Sequence, residues 1–337
     1  MRNDTRVAFN RLTAHLAQLS GVTSATESFA VEPSVQQTLE TRIQESSEFL
    51  GLINVIGVDE LKGEKLGLGV TGPIAGRTDV SAKDRTPRDV TSLTANTYEC
   101  VSTEFDTAIP WSKLDAWSRF PDFQTRVRNV ILRQQALDRI MIAFNGTKAA
   151  IETDRATNPM LQDVNKGWLQ QYRDHASARV MTAGATAGKV LIGAGGDYAN
   201  LDALVMDAVN EMVEPWFRES TDLVAIMGRK MLADKYFPLV NQDQAPTEQR
   251  ALDMIISQKR VGGLQAVRAP FVPDGKIFIT SLSNLSLYWQ NGSRRRYLRD
   301  KPERKRVENY ESSNDAYVVE DYGFGCLVEN VEFATAG

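Results

Sequence analysis

The sequence predicts an α+β fold, and three patterns carry that reading. Between Trp111 and Gly146, apolar side chains recur every three or four residues, the spacing that lines one face of a helix. Strand-like alternation marks Thr97 to Ile109 and the glycine-punctuated run from Val307 to Phe333. From about Gly195, short helical and strand patterns follow one another as in a mixed sheet flanked by helices.

The first pattern organises the chain. Phe123, Val127, Val130, Ile131, Leu137, Ile140, Met141 and Phe144 define an apolar stripe, while Arg126, Arg128, Arg133, Gln134, Asp138 and Arg139 fall largely between them. Pro121 suits a first helical turn, and Asn145-Gly146 predicts a left-handed stop. The expected strut, entered by a shorter helix at Trp111, is about 35 Å long.

In chain order, residues 3 to 20 place Phe9, Leu12, Leu16 and Leu19 on one face of a short helix that ends at Gly21. Two readings stand for it: a packing element, or a detachable partner-binding segment. Val22 to Phe29 is small and polar and reads as an exposed linker. Ala30 to Leu52 passes from an extended lead into a helix, and Ile53 to Val58 is a strand. Lys62 to Arg88 is rich in Gly, Thr and charge, with Leu66, Leu68 and Val70 alternating. It is too long for an ordinary connector and reads as a projecting two-stranded loop.

Further along, Trp168, Leu169 and Tyr172 anchor a helical end to the segment 158–173, and Thr182 to Gly196 is a Gly- and Ala-rich connection or hairpin. In the second unit, Leu201 to Phe217 and Lys230 to Val240 read as helices. Leu223 to Met227, Met254 to Ser257, Ala266 to Val267, Ile277 to Thr280 and Leu285 to Trp289 read as its strands. Arg294, Arg295, Arg296, Arg299, Lys301, Arg304, Lys305 and Arg306 form a basic run. It lacks the aromatic platforms of a nucleic-acid reader, so pairing with acidic residues of a neighbouring subunit is the favoured reading. Gly323 and Gly325 allow a bent strand that returns to an earlier sheet.

Composition bounds the function. With 337 residues, 42% hydrophobic and 24% charged, the chain is globular and long enough for two units. A net charge of -4 argues against coating nucleic acid by bulk positive charge. Cys100 and Cys326 match no metal or redox spacing, so reduced thiols in a cytoplasmic setting are expected. No apolar run approaches bilayer length and no secretory pattern opens the sequence, so no membrane partner is expected.

Catalytic signatures are missing as well. His15 and His175 have no metal-ligand or triad companion at a meaningful spacing, and Glu320-Asp321 would point to opposite strand faces. Gly67-x-Gly69-x-x-Gly72 formally fits a dinucleotide fingerprint and is the basis of an alternative reading as a cytoplasmic nucleotide-binding enzyme. That chemistry needs a helix N-terminus directly after the glycines, and no helical period follows. No cofactor, metal or catalytic residue is expected.

Longer stretches carry a resemblance. AVEPSVQQTL at 30–39, IQESSEFL at 43–50, KGEKLGLGVTG at 62–72, FNGTKAA at 144–150 and NPMLQDVNKGWLQQYR at 158–173 resemble the major capsid proteins of P-two-type temperate tailed phages. So do LADKYFPLVN at 232–241, IISQKRVGGLQAVRAPF at 255–271 and RVENYESSNDAYVVEDY at 306–322. The resemblance implies the Hong Kong-type tailed-phage capsid fold. Its parts would be an N-terminal segment (1–29) removed during procapsid maturation, an N-terminal arm (30–53) and an extended loop (54–95). A peripheral domain with a spine helix (96–195), an axial domain (196–285) and a return to the peripheral domain (286–337) would complete it.

It further implies a viral structural protein, not an enzyme, that self-assembles into the hexamers and pentamers of an icosahedral head enclosing double-stranded DNA. Implied partners are copies of itself, an internal scaffolding protein with a protease, the portal protein and packaged DNA held by non-specific contact. The implied location is the virion, with the host cytoplasm during assembly. The processing junction would lie at Phe29 and Ala30. The loop residues Leu66, Leu68, Val70, Arg77, Arg85 and Arg88 would meet a neighbouring subunit, and Arg294, Arg295, Arg296, Arg304 and Arg306 are candidates for an inter-subunit strip.

Overall fold

The computed structural model describes residues 1–19, 22–65, 75–82, 84–86, 97–117, 120, 123–240 and 260–334. The elements of the N-terminal half are α1 (Asn3–Leu19), β1 (Phe29–Ala30), α2 (Pro33–Glu45), β2 (Asn54–Val58), β3 (Lys62–Glu64), β4 (Thr97–Glu99), β5 (Val101–Glu104), β6 (Thr107–Pro110), α3 (Trp111–Trp117) and α4 (Phe123–Asn145). Then come α5 (Trp168–His175), β7 (Val180–Met181), β8 (Val190–Ile192), α6 (Leu201–Met212), β9 (Leu223–Met227), α7 (Arg229–Val240), β10 (Arg260–Val261) and β11 (Leu264–Arg268). The chain closes with β12 (Ile277–Ser281), β13 (Leu285–Gln290), β14 (Arg295–Lys301), β15 (Arg306–Val319), β16 (Gly325–Val328) and β17 (Val331–Phe333).

Two compact units form, each from separated stretches of sequence. The first takes the described residues of 1–62, 99–170 and 286–317, and the second those of 63–98, 171–285 and 318–337. In the first unit, β1, β14, β15, β13 and β2 lie side by side, with β5 and β6 also pairing to β15. The hairpin of β14 and β15 runs from Arg295↔Ser312 to Lys301↔Arg306 and turns at Lys305, whose φ of 48° is left-handed. Val127 and Ile131 of α4 pack with Leu298 of β14, Val307 of β15 and Phe9 of α1.

The strut exists, but its buried face is rotated from the one expected. Val130 is 59% exposed, whereas Arg139, read as lying between the apolar positions, is buried with Gln135, Ala136, Ile140 and Ala143. At about 100° per residue, Arg139 lies roughly 60° from Ala136 around the helix and Val130 roughly 120°. Helix position, not residue type, decided burial. Pro121 and the side chain of Phe123 lie outside the description.

The helix stop also differs. Gly146 is not among the left-handed glycines. A Cβ there would sit 2.1 Å from the Asn165 carbonyl oxygen, and one at Gly167 would sit 2.3 Å from that of Ala143. The two glycines let the chain return against the helix end, where Gly167 N donates to Gly146 O at 3.0 Å. Behind that turn Trp168 is buried in an aromatic cluster with Phe49, Phe144 and Tyr317, its Nε1 donating to Ser286 O.

The second unit is built on the sheet order β10-β11-β9-β12-β16-β7. All five residues of β9 (LVAIM) and of β12 (IFITS) are buried, as in central strands covered on both faces. Leu201, Leu204, Val205, Ala208, Val209 and Met212 of α6 join that core. This helix ends at Met212 rather than Phe217 because Pro215 disfavours helical backbone just before it.

Two strands fall elsewhere than expected. Leu285 to Gln290 joins the first unit's sheet, parallel to β2 with Leu287 opposite Val55. After the long β15, Gly325 to Val328 goes to the second unit's sheet, where Cys326 pairs with Ile279, and Val331 to Phe333 pairs separately with β8. Tyr172 lies in the second unit too, packed edge-on against Phe278 and Tyr322, so that unit begins at Gln171 in this stretch rather than near Gly195. The strand expected at Met254 to Ser257 lies outside the described residues.

Candidate assembly surfaces

Inside the first unit sits a feature that the hydrophobic pattern did not announce. Glu40 of α2, Gln135 and Arg139 of α4, Arg294 just before β14, and Glu311 and Asp315 of β15 are all buried. Arg139 pairs with Glu40 and reaches Asp315 at 2.9 Å, while Arg294 reaches Glu40 at 2.7 Å and Glu311 at 3.1 Å. Gln135 bridges the two chains of contacts, donating to Glu311 and accepting from Arg294, both at 2.8 Å. Three stretches distant in sequence, α2, α4 and the β14–β15 hairpin, are thereby held in one register.

The charges settle unequally. Burial pushes the Glu40 carboxyl up, but Arg139 and Arg294 outweigh it and hold the group below the usual carboxylate range. Burial likewise opposes ionisation of Glu311, yet Arg296 and Arg294 bring it down to about 2. Asp315 ends raised, because burial and the nearby Glu40 charge together exceed the pull of Arg139. Burial also pushes both thiols, Cys100 and Cys326, up to about 12, so neither is a poised nucleophile.

The basic run divides once placed. Arg294 is absent from the surface, since its guanidinium is committed to Glu40 and Glu311. Arg296 is half-buried against Asn309, and Arg306 pairs with Glu308 at 2.5 Å. Arg295 and Arg304 are exposed. Of the loop residues, Arg77 and Arg85 are exposed, whereas Leu66, Leu68, Val70 and Arg88, with Gly67, Gly69 and Gly72, lie outside the described residues. At the loop's base β3 pairs with β4, closed by a Lys62–Glu99 ion pair of 2.8 Å.

Phe29 and Ala30 are not in an open linker. Phe29 pairs with Arg296 and Ala30 with Arg295 at the outer edge of β14, and both Ala25 and Phe29 are buried. Small residues earned this segment its linker reading; smallness is also what lets Ala25 seat against the sheet. Among the described residues no group of three or more His, Cys, Asp or Glu is arranged to hold a metal, and no helix is long and apolar enough to cross a membrane.

Known proteins share this arrangement. The phage major capsid protein family called P2 matches residues 8–331. The "Capsid proteins" chain of Escherichia phage P2 is 52% identical over 341 residues, covering 98% of this chain and 96% of its own. The "Major capsid protein" of Serratia phage KSP20 is 39% identical over 344 residues, covering 99% and 98%. A chain of the solved structure "Satellite phage P4 procapsid including size determination (Sid) protein" superposes with a TM-score of 0.84 at 51% identity, covering 99% of both chains. The α+β architecture described above is thus the tailed-phage capsid fold, and the chain belongs to the P2 family of phage major capsid proteins, structural proteins that assemble with copies of themselves into the virion capsid.

Proposed function

We propose that this chain builds the hexamers and pentamers of an icosahedral head around double-stranded DNA, assembled in the host cytoplasm with an internal scaffolding protein that carries a protease, and with a portal protein. The observation that carries this reading is the likeness to a procapsid chain over 99% of both chains. The function is geometric: the loop around Arg77 and Arg85 lies over a neighbouring subunit, and Arg295 and Arg304 meet acidic residues there. Each contact is weak alone, and cooperativity comes from several being satisfied at once by every added subunit.

Expression with the scaffolding protein, followed by negative-stain microscopy, is expected to give closed shells; protein that stays monomeric would overturn the reading. Deleting Lys62 to Arg88 is expected to leave folded protein and abolish shells, and particles of normal shape would refute the role of the loop. We also propose that residues 1–29 are removed after assembly, at or beside Phe29–Ala30. Intact-mass measurement on mature virions tests this, and a chain still starting at Met1 would sink it.

A further inference from the structure

A protease binds its substrate as an extended, unpaired strand, so the bond to be cut needs its backbone free on both sides. The Phe29–Ala30 bond lacks that freedom. Its two residues form β1, laddered to Arg296 and Arg295 of β14. Upstream, Leu298 N donates to Ala25 O at 3.1 Å; downstream, Val31 N donates to Arg294 O at 3.0 Å. Phe29 and Val31 are buried with Ala30 exposed between them, as in an edge strand, while 26–28 run exposed from the turn at Ala25. Residues 29–31 therefore lie along the outer edge of β14 with the scissile bond inside the pairing, and the turn at Ala25 ties the rest of this strap to the same strand.

The strap is anchored by different kinds of contact at its two ends. Arg294, at its C-terminal end, belongs to the buried ion network and does not move without breaking it. The N-terminal side is tied by α1, through Arg6 to Asp300 at 2.6 Å and Arg2 N to Asp115 at 2.9 Å and through the apolar packing of Phe9 and Ala17. A cavity of about 570 Å³, lined in part by Leu12, Leu16, Val35, Leu39, Leu298 and Val307, remains beside α1. Lifting from that side forfeits apolar packing already reduced by the void and strips no buried ion of its partner, whereas lifting from Arg294 does.

Resting on the proposed processing at this junction, we infer that docking of residues 25–31 on β14 hides the cleavage site, so that removal of the N-terminal segment is conditional on the strap lifting from its N-terminal side. The folded subunit is a poor substrate and the lifted one a good substrate. The peptide bond is hydrolysed by water in the protease's site; this chain contributes only its accessibility.

Chymotrypsin tests the gate without the natural protease, because it cuts after Phe29, and a synthetic peptide of residues 22–36, which carries the same bond unpaired, serves as the reference. With the full chain, the fragment beginning at Ala30, identified by mass, is expected to appear about tenfold or more slowly than the cut in the peptide, since cleavage follows the population of the open form. Ala25→Asp, which places a charge at a buried seat away from the bond, is expected to remove most of that delay. Equal rates in the wild-type chain and the peptide would overturn the gate. Hydrogen exchange on the wild-type chain gives a second reading that needs no variant: the amides of Leu298 and Val31 are expected to be protected, and exchange at the unfolded rate would also overturn it. A virion chain beginning at Met1 would instead remove the processing reading, and with it the role of the gate, even with the strap docked.

Discussion

The two units reach a unique fold by different means. The second is held by apolar volume: β9 and β12 are buried along their whole length, and α6 supplies a continuous aliphatic face. The first adds a buried set of arginines and carboxylates that joins α2, α4 and the β14–β15 hairpin. Apolar contacts tolerate sliding, because one aliphatic neighbour serves nearly as well as the next. Paired charges do not, since any slip leaves an uncompensated ion out of water. Both units gather remote segments, but among the described residues only the first fixes three of them with directional contacts of this kind.

The hardest test of this contrast is Arg139→Met, which leaves Glu40 and Asp315 short of their shared cation. The first unit is expected to lose about 3–5 kcal/mol, the usual cost of breaking a buried pair. Urea unfolding followed by tryptophan emission reads it directly, because Trp111, Trp117, Trp168 and Trp289 belong to the first unit. A loss under about 1 kcal/mol would mean that the network is ornamental. Ile279→Ala in β12 is the apolar counterpart, expected to cost about 2–5 kcal/mol by loss of transfer energy and by the cavity left behind. Faster hydrogen exchange across Leu223 to Met227 is its signature, and unchanged exchange there would show that apolar volume is not what holds the second sheet.

Acid separates the two kinds of core further. Glu311 titrates at about 2 instead of its ordinary 4.5, so its contribution is complete above pH 4.5 and lost as pH falls toward 2. The whole effect is on the order of 3 kcal/mol. Asp315 works with the opposite sign: its raised pKa makes its ionised form a cost, which protonation relieves. Glu311→Gln is therefore expected to flatten the acid limb of the stability curve and Asp315→Asn to steepen it. Identical acid limbs in all three proteins would contradict the assignment. Least of all should Val130→Asp matter, within about 0.5 kcal/mol, because Val130 faces solvent. A larger loss of stability in the isolated subunit would put the rotated face of α4 in doubt.

Legibility in the sequence followed the same divide. Leu223 to Met227 and Ile277 to Thr280 were readable as strands because uninterrupted apolar runs leave few alternatives, and Trp168, Leu169 and Tyr172 were readable as anchors by size. Arg139 was not, since a charged residue in an amphipathic pattern is assigned outward by default. The missed signal was its place among Gln135, Ala136, Ile140 and Ala143. Nor could pattern say which sheet receives Leu285 to Gln290, because a strand's partners are set by long-range pairing. The capsid identity was legible through long stretches of resemblance, whereas the docking of Ala25 and Phe29 was concealed by a composition that also suits linkers.

The buried network has a consequence for how the subunit is made. Arg294 follows its partner Glu40 by 254 residues. At about 5–20 residues per second, the ribosome delivers that arginine roughly 13 to 50 s after the glutamate. For that interval α2 emerges without the strand that fixes it, so the first unit closes only after residue 294 has been made. Nascent chains halted before residue 294 are thus the form in which the N-terminal helices are most open to chaperones.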